Sequence, residues 1–241
     1  MNLLKQLYQI NSYSGQEDEI KRFVLQQLAE LSLKIEEDLY GNILITKGLA
    51  EKYPCVVAHL DEVHQPCVRN LHENDGVIYA TNENGERVGI GADDKNGVWI
   101  VVQLLRQIES MKAVLFVREE KATFEGYRHG SDACDLAFFD DVKYVLQCDR
   151  KSTGDCVTYC TKRQIRLCNN DFIPELILYK YGFTPVEGGV TDVVHLKERG
   201  LPIPCCNISC GYYNPHKSEE YAKISDILNS LLFVKMIIQT L

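Results

Sequence analysis

Short apolar runs that stop at a carboxylate or an imidazole are the dominant pattern of this 241-residue chain. Pro54 to Ala58, Ala113 to Val117, Val142 to Leu146 and part of Leu201 to Ser209 read as buried strands, with Ile43 to Thr46 as another after the Gly41-Asn42 turn. Segments with helical spacing lie between them. Gln16 to Leu31 carries Ile20, Phe23, Val24, Leu28 and Leu31, and Ser14 with Glu17 three residues on has the form of a capping box. Asn96 to Ile108, Phe172 to Tyr181 (stopped by Gly182) and Ala222 to Thr240 complete the helical set. Continuously apolar strands alternating with amphipathic helices predict an α/β fold, a mostly parallel, mixed central sheet with helices on both faces. No repeat, low-complexity tract or linker divides the chain, so a single domain over 1–241 is expected.

In such sheets ligands gather beyond the carboxyl ends of the strands. The residues just past each run are therefore informative. His59-Leu60-Asp61 comes after Cys55 to Ala58, Arg118-Glu119-Glu120 after Val114 to Val117, and Asp149 after Tyr144 to Cys148. Asp93-Asp94-Lys95 precedes a helix, and Asn214-Pro215-His216 lies beyond the last strand. Singly, each is an ordinary turn or helix start, where carboxylates favour the positive end of the dipole. Together they are five ligand-rich sites on one side of a sheet. Two imidazoles and several carboxylates suit zinc, with manganese or cobalt as alternatives. Five ligands exceed one open site but suit two ions if one carboxylate bridges.

The bulk properties narrow the class. A formal charge of -8 disfavours nucleic acid and anionic membrane as partners. The first ten residues lack the features of a signal peptide, and no apolar run spans a bilayer, so a cytoplasmic protein is expected. Ten cysteines in a chain of this length, several in apolar runs, read as reduced and buried thiols. Cys156 with Cys160, or Cys206 with Cys210, lacks the second pair of a zinc finger.

The ordered motifs Ser12-Tyr13-Ser14-Gly15-Gln16-Glu17, Asp38-Leu39-Tyr40-Gly41-Asn42, Ala58-His59-Leu60-Asp61, Gly91-Ala92-Asp93-Asp94-Lys95-Asn96-Gly97, Arg118-Glu119-Glu120, Cys148-Asp149, Gly188-Gly189-Val190-Thr191-Asp192 and Asn214-Pro215-His216 span nearly the whole chain. The sequence resembles the co-catalytic zinc exopeptidases: tripeptidase T, carboxypeptidase G, acetylornithine deacetylase and the dinuclear zinc aminopeptidases. The resemblance implies a phosphorylase/hydrolase-like zinc exopeptidase fold and a hydrolase of short peptides or amides. It implies two divalent ions, with His59 and Asp149 on the first, Glu120 and His216 on the second, and Asp93 bridging both. It makes Asp61 the partner of the other His59 ring nitrogen. It makes Glu119 the general base, which takes a proton from the metal-bound water, leaving a metal-bridging hydroxide, and passes it to the leaving amine. Strand alternation is expected to point Glu119 and Glu120 in different directions.

The sequence also departs from that pattern. Relatives carry a lid after the position of Asp149, or a small β domain between those of His59 and Asp93; both stretches are too short here. A catalytic domain alone favours an aminopeptidase. An N-acyl amino acid deacylase on the same centre and a non-catalytic metal-binding domain are the alternatives. Without a lid, substrate contacts must come from the core. Arg150 is a candidate for a carboxylate or for pairing with Asp149 or Asp155. Asp192 and Thr191 line the site or form a structural turn, and Asp94 starts a helix. Tyr212, Tyr213, Asn214 and His195 are candidate oxyanion donors. Glu220 supports His216, attracts a substrate amine, or pairs with Lys217 or Lys223. Arg118 stands where relatives often have an acid. Oligomeric state is not readable.

Overall fold

The computed structural model describes residues 1–121 and 128–241. Two amphipathic helices, α1 (Asn2–Gln9) and α2 (Asp18–Leu28), lead into β1 (Leu33–Glu37), β2 (Ile43–Lys47) and β3 (Tyr53–His59). Strands β4 (Asn70–Asn74), β5 (Val77–Thr81) and β6 (Arg87–Val88) precede α3 (Ala92–Gln107) and β7 (Met111–Phe116). Then come α4 (Gly130–Ala133), a 3-10 turn at Leu136–Phe139, β8 (Val142–Arg150), β9 (Asp155–Cys160), β10 (Ile165–Arg166) and α5 (Glu175–Tyr181). The chain ends with β11 (Thr184–Gly188), α6 (Asp192–Glu198), β12 (Cys205–Ser209), β13 (Tyr212–Tyr213), β14 (Tyr221–Lys223) and α7 (Ile224–Thr240).

The central sheet runs β1-β2-β7-β3-β8-β12-β9-β10, with β11 on β9. Its middle, β7-β3-β8-β12, is parallel, and its flanks are antiparallel apart from β11, which runs parallel to β9. The mixed sheet agrees with the expected α/β class. Strand β3 shows why helices cover both faces. Val56 and Ala58 join the apolar cluster that holds residues of α1, α2, α3 and α7, while Cys55 and Val57 join the cluster that holds residues of α6. Alternate side chains face opposite layers, so every residue of this strand is buried. Each fully buried aliphatic side chain there contributes about 1.5–3 kcal/mol.

Three details differ from the sequence reading. The stretch between His59 and Asp93 folds into β4, β5 and β6, which join β13 and β14 in a second, five-stranded sheet. Helix α1 is an addition to the expected elements; its Leu4, Leu7 and Tyr8 are buried, but the segment is too short to display a long periodicity. Ser14 does not cap α2, whose N-terminal flank is Glu17 with no side-chain cap. The Ser14 hydroxyl donates instead to Asp61, and Glu17 accepts from the Gly15 and Arg118 amides. None of the ten cysteines is in a disulfide, and all but Cys67 are buried. Among the described residues no helix is long and apolar enough to cross a membrane.

A buried ion network joins the two ends of the N-terminal half. Glu62 accepts from Arg69 at 2.7 Å, Lys95 at 3.0 Å and the Ser12 amide at 2.9 Å, while Lys95 also donates to the Ile10 carbonyl at 2.6 Å. Removing the one carboxylate leaves two buried cations facing each other. Glu62→Ala should therefore lower unfolding free energy by about 3–5 kcal/mol in urea titrations. A loss below about 1 kcal/mol would mean that water replaces the carboxylate.

Candidate active site

Three parallel strands deliver their chemistry to one edge. β3 ends on His59, β7 ends just before Glu119 and Glu120, and β8 carries Asp149 near its end. Asp93 and Asp94 arrive at the start of α3, and His216 arrives on the turn between β13 and β14. Their side chains meet. His59 Nε2 lies 3.4 Å from Asp93 Oδ1 and 3.6 Å from Asp149 Oδ1. His216 Nε2 lies 3.2 Å from Asp93 Oδ2 and 2.8 Å from Glu120 Oε1. Asp93 thus turns one oxygen to each imidazole, and two ligand groups share it: His59, Asp93, Asp149 and Asp93, Glu120, His216. Glu119 belongs with neither, but it groups with His59 and Glu120. All five expected ligands and the expected base are therefore in one cluster, beside an open cleft of about 270 Å³.

The donor chemistry fits divalent ions. Two imidazoles and several carboxylate oxygens converge, and Asp93 Oδ1 is buried with no hydrogen-bond partner. Donors about 2.0–2.1 Å from a tetrahedral ion lie about 3.3 Å apart, close to the spacings around Asp93. The acids also crowd one another. Burial, reinforced by the charge of Asp93, pushes the Glu120 carboxyl up to about 7. Burial raises Glu119 as well, with Asp149, Asp192 and Glu120 adding to it and His59 opposing. Asp149 is raised by burial and by Asp93. His216 is drawn up to about 10 by its hydrogen bonds with Asp93 and Glu120. Each direction reflects a site short of positive charge.

Supporting residues fix this arrangement. His59 Nδ1 donates to the Asp61 carbonyl at 3.1 Å and lies 3.4 Å from Asp61 Oδ1, which leaves Nε2 aimed at Asp93 and Asp149. The Asp61 carboxylate accepts the amides of Glu119 at 2.8 Å and Glu120 at 3.0 Å. These glutamates do not alternate on a strand as expected. β7 ends at Phe116, Arg118 takes a left-handed φ of 57°, and both residues sit in the bend just beyond it. Asp149 accepts from Thr191 Oγ1 at 2.6 Å and Tyr212 OH at 3.1 Å. Asp94 starts the helix: its carboxylate accepts the Gly97 amide at 3.0 Å and the His59 amide at 3.2 Å.

The expected substrate contacts fare less well. Arg150 lines the cleft but pairs with Asp155 at 3.0 Å. Asp192 is fully buried behind Thr191 and accepts from Gln147 at 3.1 Å; burial pushes its carboxyl up to about 7. Tyr213 donates to Asp226 at 2.5 Å, and Asn214 donates to the Glu219 carbonyl; both line a neighbouring hollow. His195 lies away from the cleft, beside His129. The Tyr212 hydroxyl, although in the cleft, is committed to Asp149. Glu220 is the clearest correction. It is fully buried and pairs with neither Lys217 nor Lys223. Its carboxylate accepts the amides of Ile90 at 2.9 Å, Gly91 at 2.7 Å and Asp93 at 3.1 Å, and His64 Nε2 at 3.0 Å. Four local donors satisfy this acid, and no spacing rule links them to it in sequence.

No known family's sequence profile matches the chain. Solved structures do match in fold. An aminopeptidase PepT from Bacillus cereus ATCC 10987 superposes with a TM-score of 0.82 at 15% identity, over 99% of this chain and 96% of that one. A tripeptidase from Staphylococcus aureus subsp. aureus Mu50 gives 0.80 at 16% identity, over 99% and 96%. A TET aminopeptidase from the marine sediment archaeon Thaumarchaeota archaeon SCGC AB-539-E09 gives 0.73 at 14% identity, over 100% and 97%. The α/β architecture is therefore one that these peptidases share.

Glu220 supplies a direct test of how the Asp93 loop is held. Glu220→Ala leaves three backbone amides without their acceptor and should cost about 2–4 kcal/mol in stability. Hydrogen exchange at Ile90, Gly91 and Asp93 should accelerate together. Unchanged exchange there would show that another group holds the loop.

Proposed function

We propose that this chain is a dinuclear metal-dependent exopeptidase, an aminopeptidase that hydrolyses short peptides, with residues 1–241 acting as one catalytic domain. The observation that carries the reading is the division of Asp93, one oxygen toward His59 and Asp149 and the other toward His216 and Glu120, beside an uncommitted Glu119. His59, Asp149 and Asp93 would hold one ion, and Glu120, His216 and Asp93 the other. Zinc suits this donor set, with manganese or cobalt as alternatives. When bound, such a pair supplies Lewis acidity to a carbonyl and acidifies water.

The protein's own residues do the rest. Glu119 takes a proton from the attacking water and delivers it to the nitrogen of the leaving amine. Asp61 positions it, because the Asp61 carboxylate grips the amides of both glutamates and so sets where their side chains start. Asp61 also orients His59 through the ring nitrogen that faces away from the acids. Thr191 and Tyr212 hold Asp149 from opposite oxygens. Lys151 on the cleft wall provides positive charge for the terminal carboxylate of a short peptide, Arg150 beside it being paired with Asp155. The fold likeness to an aminopeptidase PepT and a tripeptidase supports the same choice.

Zinc-loaded protein should release the N-terminal residue of free di- and tripeptides faster than it cleaves their N-acetylated forms. Preference for the blocked substrates would make the protein a deacylase, and inertness toward both would sink the enzymatic reading. Glu119→Gln should slow turnover by about 10²–10⁴-fold with metal content unchanged. Loss of metal from that variant would mean that the two glutamates exchange roles.

A further inference from the structure

On the face of the central sheet covered by α4 and α6 lies a second group of ligand-type side chains. His129 and Asp132 stand one turn apart at the start of and within α4, and His195 and Glu198 stand one turn apart on α6. Each short helix thus brings an imidazole and a carboxylate to the same contact. The rings of His129 and His195 stack with centroids 4.3 Å apart. His195 Nδ1 lies 3.3 Å from Asp132 Oδ1 and 3.4 Å from Glu198 Oε2. One donor atom from each of His129, Asp132 and His195 lies within 4.8 Å of the other two. None of these residues belongs to the Asp93 cluster.

Three features distinguish this group from an ordinary surface ion pair. His195 is only 5% exposed, so its ring is fixed by packing. His129 Nδ1 is buried with no hydrogen-bond partner, an unusual cost for a polar atom. The spacings from His195 Nδ1 exceed the roughly 2.7–2.9 Å of a charge-assisted hydrogen bond. They match the separation of about 3.3 Å between donors that share one tetrahedral ion. We propose that His129, Asp132 and His195 form a separate three-donor binding site for a divalent transition ion of the zinc class, which ties α4 to α6 and leaves a fourth position for water. The carboxylates are each about one-third exposed, which leaves a path for the ion. Glu198, 3.4 Å from His195 Nδ1, is held by Arg163 at 3.3 Å and flanks the site.

The site does not depend on the proposed catalysis, and its test removes the Asp93 cluster first. Chelator-stripped full-length Asp93→Ala protein is titrated with zinc chloride by calorimetry, with thermal unfolding followed in parallel. The expected result is a single saturable zinc per chain and a higher melting temperature in its presence. Adding His195→Ala or, separately, the partly exposed Asp132→Asn should weaken that binding by about 10-fold or more and remove the thermal shift. Because Asp132→Asn is nearly isosteric, it serves even if His195→Ala fails to fold. Zinc binding that is absent from the Asp93→Ala protein, or that survives Asp132→Asn at unchanged affinity, overturns the proposal.

Discussion

Buried carboxylates crowded at the carboxyl edge of a parallel sheet are the constraint around which this molecule is arranged. Asp93, Glu119, Glu120 and Asp149 meet around His59 and His216. Burial raises the carboxyls of Glu119, Glu120 and Asp149, and the repulsion of like charges where water is scarce adds to it. A fold keeps such a cluster when something positive occupies it. The division of the Asp93 oxygens between two donor groups then favours two ions over one.

Much of the surrounding structure serves to hold those acids in place. Glu220 gathers the amides that precede and include Asp93, Asp61 gathers those of Glu119 and Glu120, and Asp94 links the helix start to the His59 backbone. Each uses one carboxylate as an acceptor for several backbone donors. Such bonds are stronger than neutral ones and define direction as well as distance. The same edge carries both ligands and their supports, which is why buried acids there outnumber the proposed ligands.

The strands and the cluster were legible because they leave local marks. Continuous apolar runs such as Cys55 to Ala58 can only be buried strands or short helix segments, and their ends locate the site by the geometry of parallel sheets. His59, Asp93, Glu120, Asp149 and His216 emerged from that rule and from the motif order. What was not legible depends on contacts between distant segments. Ser14 has a capping pattern, but α2 starts only at Asp18, and the Ser14 hydroxyl donates to Asp61. Glu220 looks like a surface acid in a polar turn until β14 carries it under the Asp93 loop. The direction of Glu119 and Glu120 depends on the left-handed Arg118, a conformation that no propensity rule assigns to arginine. Tyr213 and Asn214 lie adjacent to His216 in sequence, yet the turn faces them toward another hollow.

The central claim is that Asp93 bridges two ions. Anomalous diffraction at the zinc edge from crystals of zinc-loaded protein tests it most directly. The account predicts two peaks that bracket the Asp93 carboxylate, about 3.5–4 Å apart, one against His59 and Asp149 and the other against Glu120 and His216. A single peak at that cluster, or a pair that leaves Asp93 to one side, would contradict it.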